Sequence, residues 1–157
     1  MKVNKTNAAR LLDQSKIAYE LIPYEFDEND LSASHVAVAL NEPIEQVFKT
    51  LVLKGDKNGY FVCVIPGAYE LDLKLAAKAS GNKSCDLIPM KDLLPLTGYI
   101  RGGCSPIGMK KHFPTYIHES CLNYDFIFVS AGQRGLQLKI TPKDLIQISK
   151  AETALLV

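Results

Sequence analysis

The run Val47 Phe48 Lys49 Thr50 Leu51 Val52 Leu53 reads as a strand apolar on both faces and interrupted by one lysine. Alternate side chains of a strand point to opposite sides, so Lys49 shares its face with Val47, Leu51 and Leu53, a face expected to lie inside. The polar stretch Lys54 to Gly59 ends in Asn-Gly, which predicts a hairpin to a second strand over Tyr60 to Ile65. Upstream, Thr6 is placed to cap a helix through Gln14 with an apolar stripe of Ala8, Leu11 and Leu12, and Ile17 to Tyr24 reads as extended. Asp27 to Ser34 is a loop. Ser32 or Ser34 caps a short helix over Val36 to Leu40, and Pro43 suits the first turn of another helix leading into the Lys49 strand. Downstream, Asp72 to Ser80 has strong helix formers and stops at Gly81, and Asp86 to Leu94 predicts a short strand followed by a helix. Tyr99 to Arg101, Thr115 to His118, Asp125 to Ser130 and Leu136 to Ile140 read as short strands between glycine-bearing loops. Thr141 Pro142 Lys143 Asp144 opens a last helix. Short strands mixed with helices in irregular order predict an α/β (α+β) fold, a mixed, barrel-like β-sheet surrounded by helices.

With 157 residues, 47% of them hydrophobic, the chain suits one domain spanning 1–157 with a sizeable core. No stretch has the apolar length of a membrane span. Met1 to Lys5 is followed by an amphipathic segment rather than a signal-peptide core, so a cytoplasmic location is expected and no membrane partner. The formal charge is +1 with acids and bases interspersed, which gives no global field for nucleic acid. DNA is therefore not an expected partner, and any RNA contact rests on a local patch of Arg101, Lys110, Lys111, Arg134 and Lys139. Cys63, Cys85, Cys104 and Cys121 are scattered, without a CxxC pair or nearby zinc-type histidine spacing, so reduced thiols and no metal are expected.

Candidate chemistry starts from Lys49. An ammonium held against apolar neighbours is costly, so either its stem carries it out to solvent or something anionic or polar, such as a substrate, meets it. Two glycine loops add to this. Arg101 Gly102 Gly103 Cys104 Ser105 Pro106 Ile107 Gly108 bares backbone amides that could cradle an oxyanion, and Ser130 Ala131 Gly132 Gln133 Arg134 Gly135 gathers a hydroxyl, an amide and a guanidinium in a tight turn. The alternative for both is an ordinary turn whose glycines take positive φ. Neither has P-loop or dinucleotide spacing, the histidines form no HExxH, and the serines sit in no GxSxG elbow. His118 falls in a strand and reads as structural. Cys104 lies beside Arg101 with no evident base, and reads as a packing residue.

Val47 to Leu51, Gly98 to Lys111 and Val129 to Leu136, in this order and spacing, closely resemble the YbaK family, and the resemblance extends over nearly the whole chain. Members are relatives of the editing domain of prolyl-tRNA synthetases and remove cysteine wrongly attached to proline tRNA. The Gly102 to Gly108 stretch resembles the cysteinyl branch. The resemblance implies a trans-editing deacylase for Cys-tRNA(Pro), with Cys-tRNA(Cys) as a further substrate, needing no cofactor and having prolyl-tRNA synthetase as a partner. It makes Lys49 the essential lysine and Gly102 and Gly103 the source of amides at the scissile ester. Tyr24, Thr50, Ser105, Pro106, Ser130 and Arg134 become substrate-binding residues. The nucleophile then comes from the substrate, as its thiol or a ribose hydroxyl. A binding module of the same fold that holds a tRNA end or a nucleotide-like ligand without hydrolysis is the other reading.

Overall fold

The structure, a computed structural model, describes residues 5–157, so the Met1 to Asn4 part of the N-terminal reading lies outside the described residues. Helix α1 spans Asn7–Gln14, and the Thr6 hydroxyl accepts from the Ala9 N–H as its cap. Strand β1 (Glu20–Pro23) follows. Helix α2 (Ala33–Leu40) starts earlier than its apolar residues imply, because Ser32 caps it by accepting from the His35 N–H. Pro43 stands just ahead of a single 3₁₀ turn, Ile44–Gln46, rather than inside a helix. The predicted hairpin forms from β2 (Phe48–Gly55) and β3 (Tyr60–Pro66), with Lys49 opposite Ile65.

Asp72 caps α3 (Leu73–Ser80), and Gly81 ends it in the left-handed conformation. Strand β4 (Cys85–Leu87) and helix α4 (Leu93–Thr97) come next, then β5 (Thr115–His118), β6 (Ile127–Gln133) and β7 (Leu136–Ile140). Helix α5 (Pro142–Ser149) is capped by Thr141, and β8 (Glu152–Ala154) closes the order.

Two sheets result. One has the order β1-β7-β6 and is antiparallel throughout. The other, β4-β2-β3-β5-β8, is mixed, with β5 parallel to both β3 and β8. They are bridged at Val47 and Phe128. The fold is thus mixed α+β as expected, but its sheets do not close into a barrel.

Two further expectations differ. Tyr99 to Arg101 is a loop held by its own groups: Tyr99 donates its hydroxyl proton to the Ile107 carbonyl at 2.6 Å, and positive-φ glycines at 98 and 102 stop the backbone from extending. Strand β8 was not anticipated, because Glu152 Thr153 Ala154 has no apolar alternation and owes its form to the β5 edge.

The five-stranded sheet is covered on both sides, which is why β2 and β3 read as apolar on both faces. Phe48, Val52, Val62 and Val64 face the main core with residues of β6, β7, α1 and α5. Leu53, Phe61, Cys63 and Ile65 face α3 and Leu156. Each fully buried large side chain contributes about 1.5–3 kcal/mol relative to an exposed one. A third cluster joins Val36 and Ala37 of α2 to Val47 and Phe128 across the bridge between the sheets. That bridge and β4 bound a gap along β2, and the candidate site occupies it.

Candidate active site

Strand β4 pairs with β2 only from Leu53 to Gly55, and the bridge to β6 lies at Val47, so the stretch between has a free edge. The parity of hydrogen bonding shows which groups face it. Gly67 N–H donates to the Val47 carbonyl on the β3 side, whereas Ile88 N–H donates to the Val52 carbonyl on the opposite edge. Alternation along the strand turns the Thr50 N–H and C=O toward that opposite, open edge. A cleft of about 580 Å³ lies here. Its apolar lining includes Leu31, Leu87, Ile88, Met90 and Leu93, and its charged lining residues are Lys49, Arg101 and Asp30.

Lys49 lies on the face that Leu53 buries completely, but at the end of the strand where that cover runs out, and it is half-buried. Its Nζ donates to the Gly67 carbonyl over 3.4 Å, a long contact, and no carboxylate lies within ion-pairing distance among the described residues. The ammonium is therefore sheltered beside the cleft that Lys49 lines, and weakly held. Thr50 also lines the cleft, and its Oγ1 is buried without a hydrogen-bond partner.

The first glycine loop also lines the cleft, through Arg101, Gly102 and Cys104. Gly103 N–H donates to the Ile100 carbonyl at 2.9 Å, closing a turn whose third residue, Gly102, has φ +83°. A left-handed residue at that position is what makes glycine necessary there. Gly102 lines the cleft, with Leu31 packed over it, and its N–H has no acceptor among the described residues. Gly103 sits behind, where a Cβ would come within 3.0 Å of Gln133 Cα. Its amide is already committed to the turn. Ser105 and Pro106 are buried outside the cleft lining, Ser105 accepting from the Ile107 N–H. Cys104 does line the cleft, but burial pushes its thiol up to about 12, so it is neutral near pH 7.

The second loop contributes less than its composition implies. Ser130 lines the cleft, its Oγ accepting from the Gly132 N–H across a β-bulge that shifts the β6 and β7 register between Ser130 and Gln133. Bulges of this kind re-aim side chains next to sites. Arg134 lies outside the lining and donates from Nε to the Arg101 carbonyl at 2.9 Å, tying the two loops together. Tyr24 packs on the Val36, Val47 and Phe128 cluster, and its N–H donates to Gly135. It is not part of the cleft wall.

Gln137 was missed by sequence reasoning. Leu136 Gln137 Leu138 Lys139 Ile140 alternates as a half-exposed strand would, yet Gln137 is 5% exposed, lines the cleft opposite Ser130 in register, and has an unpartnered Oε1. No histidine lines the cleft. His118 is buried elsewhere, where its Nδ1 accepts from Leu156 N–H and desolvation lowers its pKa. A smaller cavity of about 380 Å³ beyond Leu87 and Ile88 sets Asp56, Asp86 and Asp92 against Lys54, the wrong balance for a nucleic-acid end. Among the described residues no group of three or more potential metal ligands assembles, and no helix is long and apolar enough to cross a membrane.

Comparison with known proteins places these features in context. A family model described as "Aminoacyl-tRNA editing domain" matches residues 27–148. EbsC of Enterococcus faecalis, named for Cys-tRNA(Pro)/Cys-tRNA(Cys) deacylation, is 49% identical over 150 residues, covering 96% of this chain and 92% of its own. A proline–tRNA ligase of Fervidobacterium nodosum is 32% identical over 85 residues, 54% of this chain and 15% of the ligase. Among solved structures, one described as a trans-editing enzyme for prolyl-tRNA synthetase superposes with a TM-score of 0.81 at 25% identity, covering 98% of each chain.

Proposed function

The chain belongs to the aminoacyl-tRNA editing domain family, and from that premise we propose that it removes cysteine from mischarged Cys-tRNA(Pro), with Cys-tRNA(Cys) as a second substrate. The observation that carries this reading is the Lys49 ammonium, half-buried, without a carboxylate partner among the described residues, in a cleft that Gly102 also lines. A cleft with two cations to one carboxylate suits the anionic, oxygen-rich end of a tRNA.

In the reaction, Lys49 and the Gly102 N–H take up the negative charge that grows on the ester oxygens. Each such donor, fixed before the reaction, is worth about 2.7–4 kcal/mol of barrier. The nucleophile is the substrate's own thiol, or a water that a ribose hydroxyl of the substrate orients. In the thiol route a sulfur–carbon bond forms as the ester carbon–oxygen bond breaks, and the thiol proton passes to the departing ribose oxygen. This fits a cleft lined by no histidine and by a Cys104 that is protonated at neutral pH. A pocket distinguishes amino acids that differ by one small group by only about 1–3 kcal/mol. Thiol chemistry then adds selectivity that binding lacks.

The whole chain acts as one editing domain in the cytoplasm, where its substrate is made. Prolyl-tRNA synthetase is the proposed partner, a choice supported by the likeness to a segment of proline–tRNA ligases. Incubating the purified protein with tRNA(Pro) carrying cysteine, alanine or proline, and with Cys-tRNA(Cys), tests the proposal. Cysteine should be released from tRNA(Pro) while proline stays attached. Tight binding across the panel without release of any amino acid would refute the deacylase reading and leave a binding module.

A further inference from the structure

Gln137 sits mid-strand between Ser130 on β6 and Ile22 on β1, so its backbone is fixed on both sides. Its side chain nonetheless ends in an oxygen buried at the cleft without a donor. A buried acceptor left unpaired carries its full desolvation penalty. Thr50, also among the lining residues, carries a second such oxygen, its buried and unpartnered Oγ1.

An aminoacyl ester presents two kinds of polar group. Its carbonyl and ribose oxygens accept, and the cleft offers Lys49, Arg101 and the Gly102 N–H as donors to them. Its α-ammonium only donates, and must find acceptors when it leaves water. Asp30 is a poor candidate: it is exposed, and its Oδ1 already accepts from the Ser32 hydroxyl at 2.6 Å and the Ser32 N–H at 3.2 Å. We propose that Gln137 Oε1, seconded by Thr50 Oγ1, accepts hydrogen bonds from the α-ammonium of the substrate, so that the site reads the free amino group of the aminoacyl ester.

The inference rests on the deacylase reading above. The terminal torsion of a glutamine is soft, so Oε1 can swing to the ligand without moving β7.

The test compares wild type and Gln137→Leu on cysteinyl-tRNA(Pro) and on 3-mercaptopropionyl-tRNA(Pro), the same acyl group without its amino group. Each protein's preference between the esters includes their intrinsic reactivity, and the ratio of the two preferences cancels it. Wild type should prefer the amino-bearing ester about ten- to a hundredfold more than Gln137→Leu does, the range of a hydrogen bond to a charged group. Equal preferences overturn the inference. Gln137→Glu keeps an acceptor and should hold the preference at or above the wild-type level. If Gln137→Leu does not fold, that variant decides, and a lost preference there overturns the inference. Wild type inactive on both esters would sink the deacylase reading and this inference with it, an outcome distinct from equal preferences in active proteins.

Discussion

The two glycine loops meet back to back, and they spend their glycines differently. In the first, Gly102 faces the cleft and Leu31, while Gly103 lies against the backbone of the second loop. In the second, the space beside each glycine is filled by protein: the Tyr99 ring stands 3.0 Å from a would-be Cβ of Gly132, and Phe26 stands 2.9 Å from that of Gly135. The second loop is a buttress. It presses on Gly103, holds the Arg101 carbonyl through Arg134 Nε, and reaches the cleft only at Ser130. A glycine thus records that something comes close to the backbone, and only the fold says whether that something is ligand or protein.

If the cleft face does chemistry and the buttress does support, their variants should separate rate from stability. The largest effect on rate is expected at Lys49. Lys49→Ala removes a charge whose one hydrogen bond among the described residues is 3.4 Å long, so deacylation of Cys-tRNA(Pro) should fall about 10²–10³-fold. The melting temperature should stay near that of the wild type, because little packing or pairing is lost. A normal rate would remove Lys49 from the mechanism, and a collapsed melting transition would make it structural.

The glycine pair sharpens the contrast. Gly103→Val drives a branched side chain into the backbone of Gln133 and Arg134, at 3.0–3.1 Å from the first added carbon, and rigid backbone cannot step aside. Overpacking of this kind costs about 1–3 kcal/mol, so thermal stability should drop along with activity. At Gly102 the obstacle is the flexible Leu31 side chain, and the backbone is left-handed. Gly102→Val should therefore cost on the order of 1–3 kcal/mol in strain while blocking the ester's approach, giving the larger loss of rate for each degree of melting temperature. Equal ratios of rate loss to stability loss in the two variants would erase the distinction between cleft and buttress.

What could be read from the chain follows the range of the interactions. Thr6, Ser32, Asp72 and Thr141 each cap a helix through bonds reaching three residues or fewer, and the hairpin turn is equally local. Lys49 was legible because a period of two places it on an apolar face. The same period hides Gln137, which looks like a polar-out position until β1 and β6 close around it. Tyr99 to Arg101 has strand-forming residues but no partner strand, and β8 has a partner but no pattern. Tyr24 shows the limit of a motif: its place on the Phe128 cluster is plain in the fold, and a contact with the cleft is not.

The smallest expected effect belongs to Cys104, the thiol nearest the proposed chemistry. It stands in the first glycine loop and lines the cleft, so by position alone it is a candidate nucleophile. Its environment argues otherwise. It is 8% exposed, and desolvation holds its pKa up to about 12, partly offset by a hydrogen bond with Thr97. The thiolate is the reactive form, and at neutral pH almost none exists. Cys104→Ala should therefore leave the deacylation rate within about twofold of the wild type and cost about 1 kcal/mol of stability through lost packing. Between pH 7 and 10 the two proteins should give superimposable rate profiles, since the Cys104 thiol does not ionise in that window. Acyl transfer from cysteinyl-tRNA onto Cys104, detected by mass spectrometry of the quenched reaction, would contradict this and move the nucleophile from the substrate to the protein.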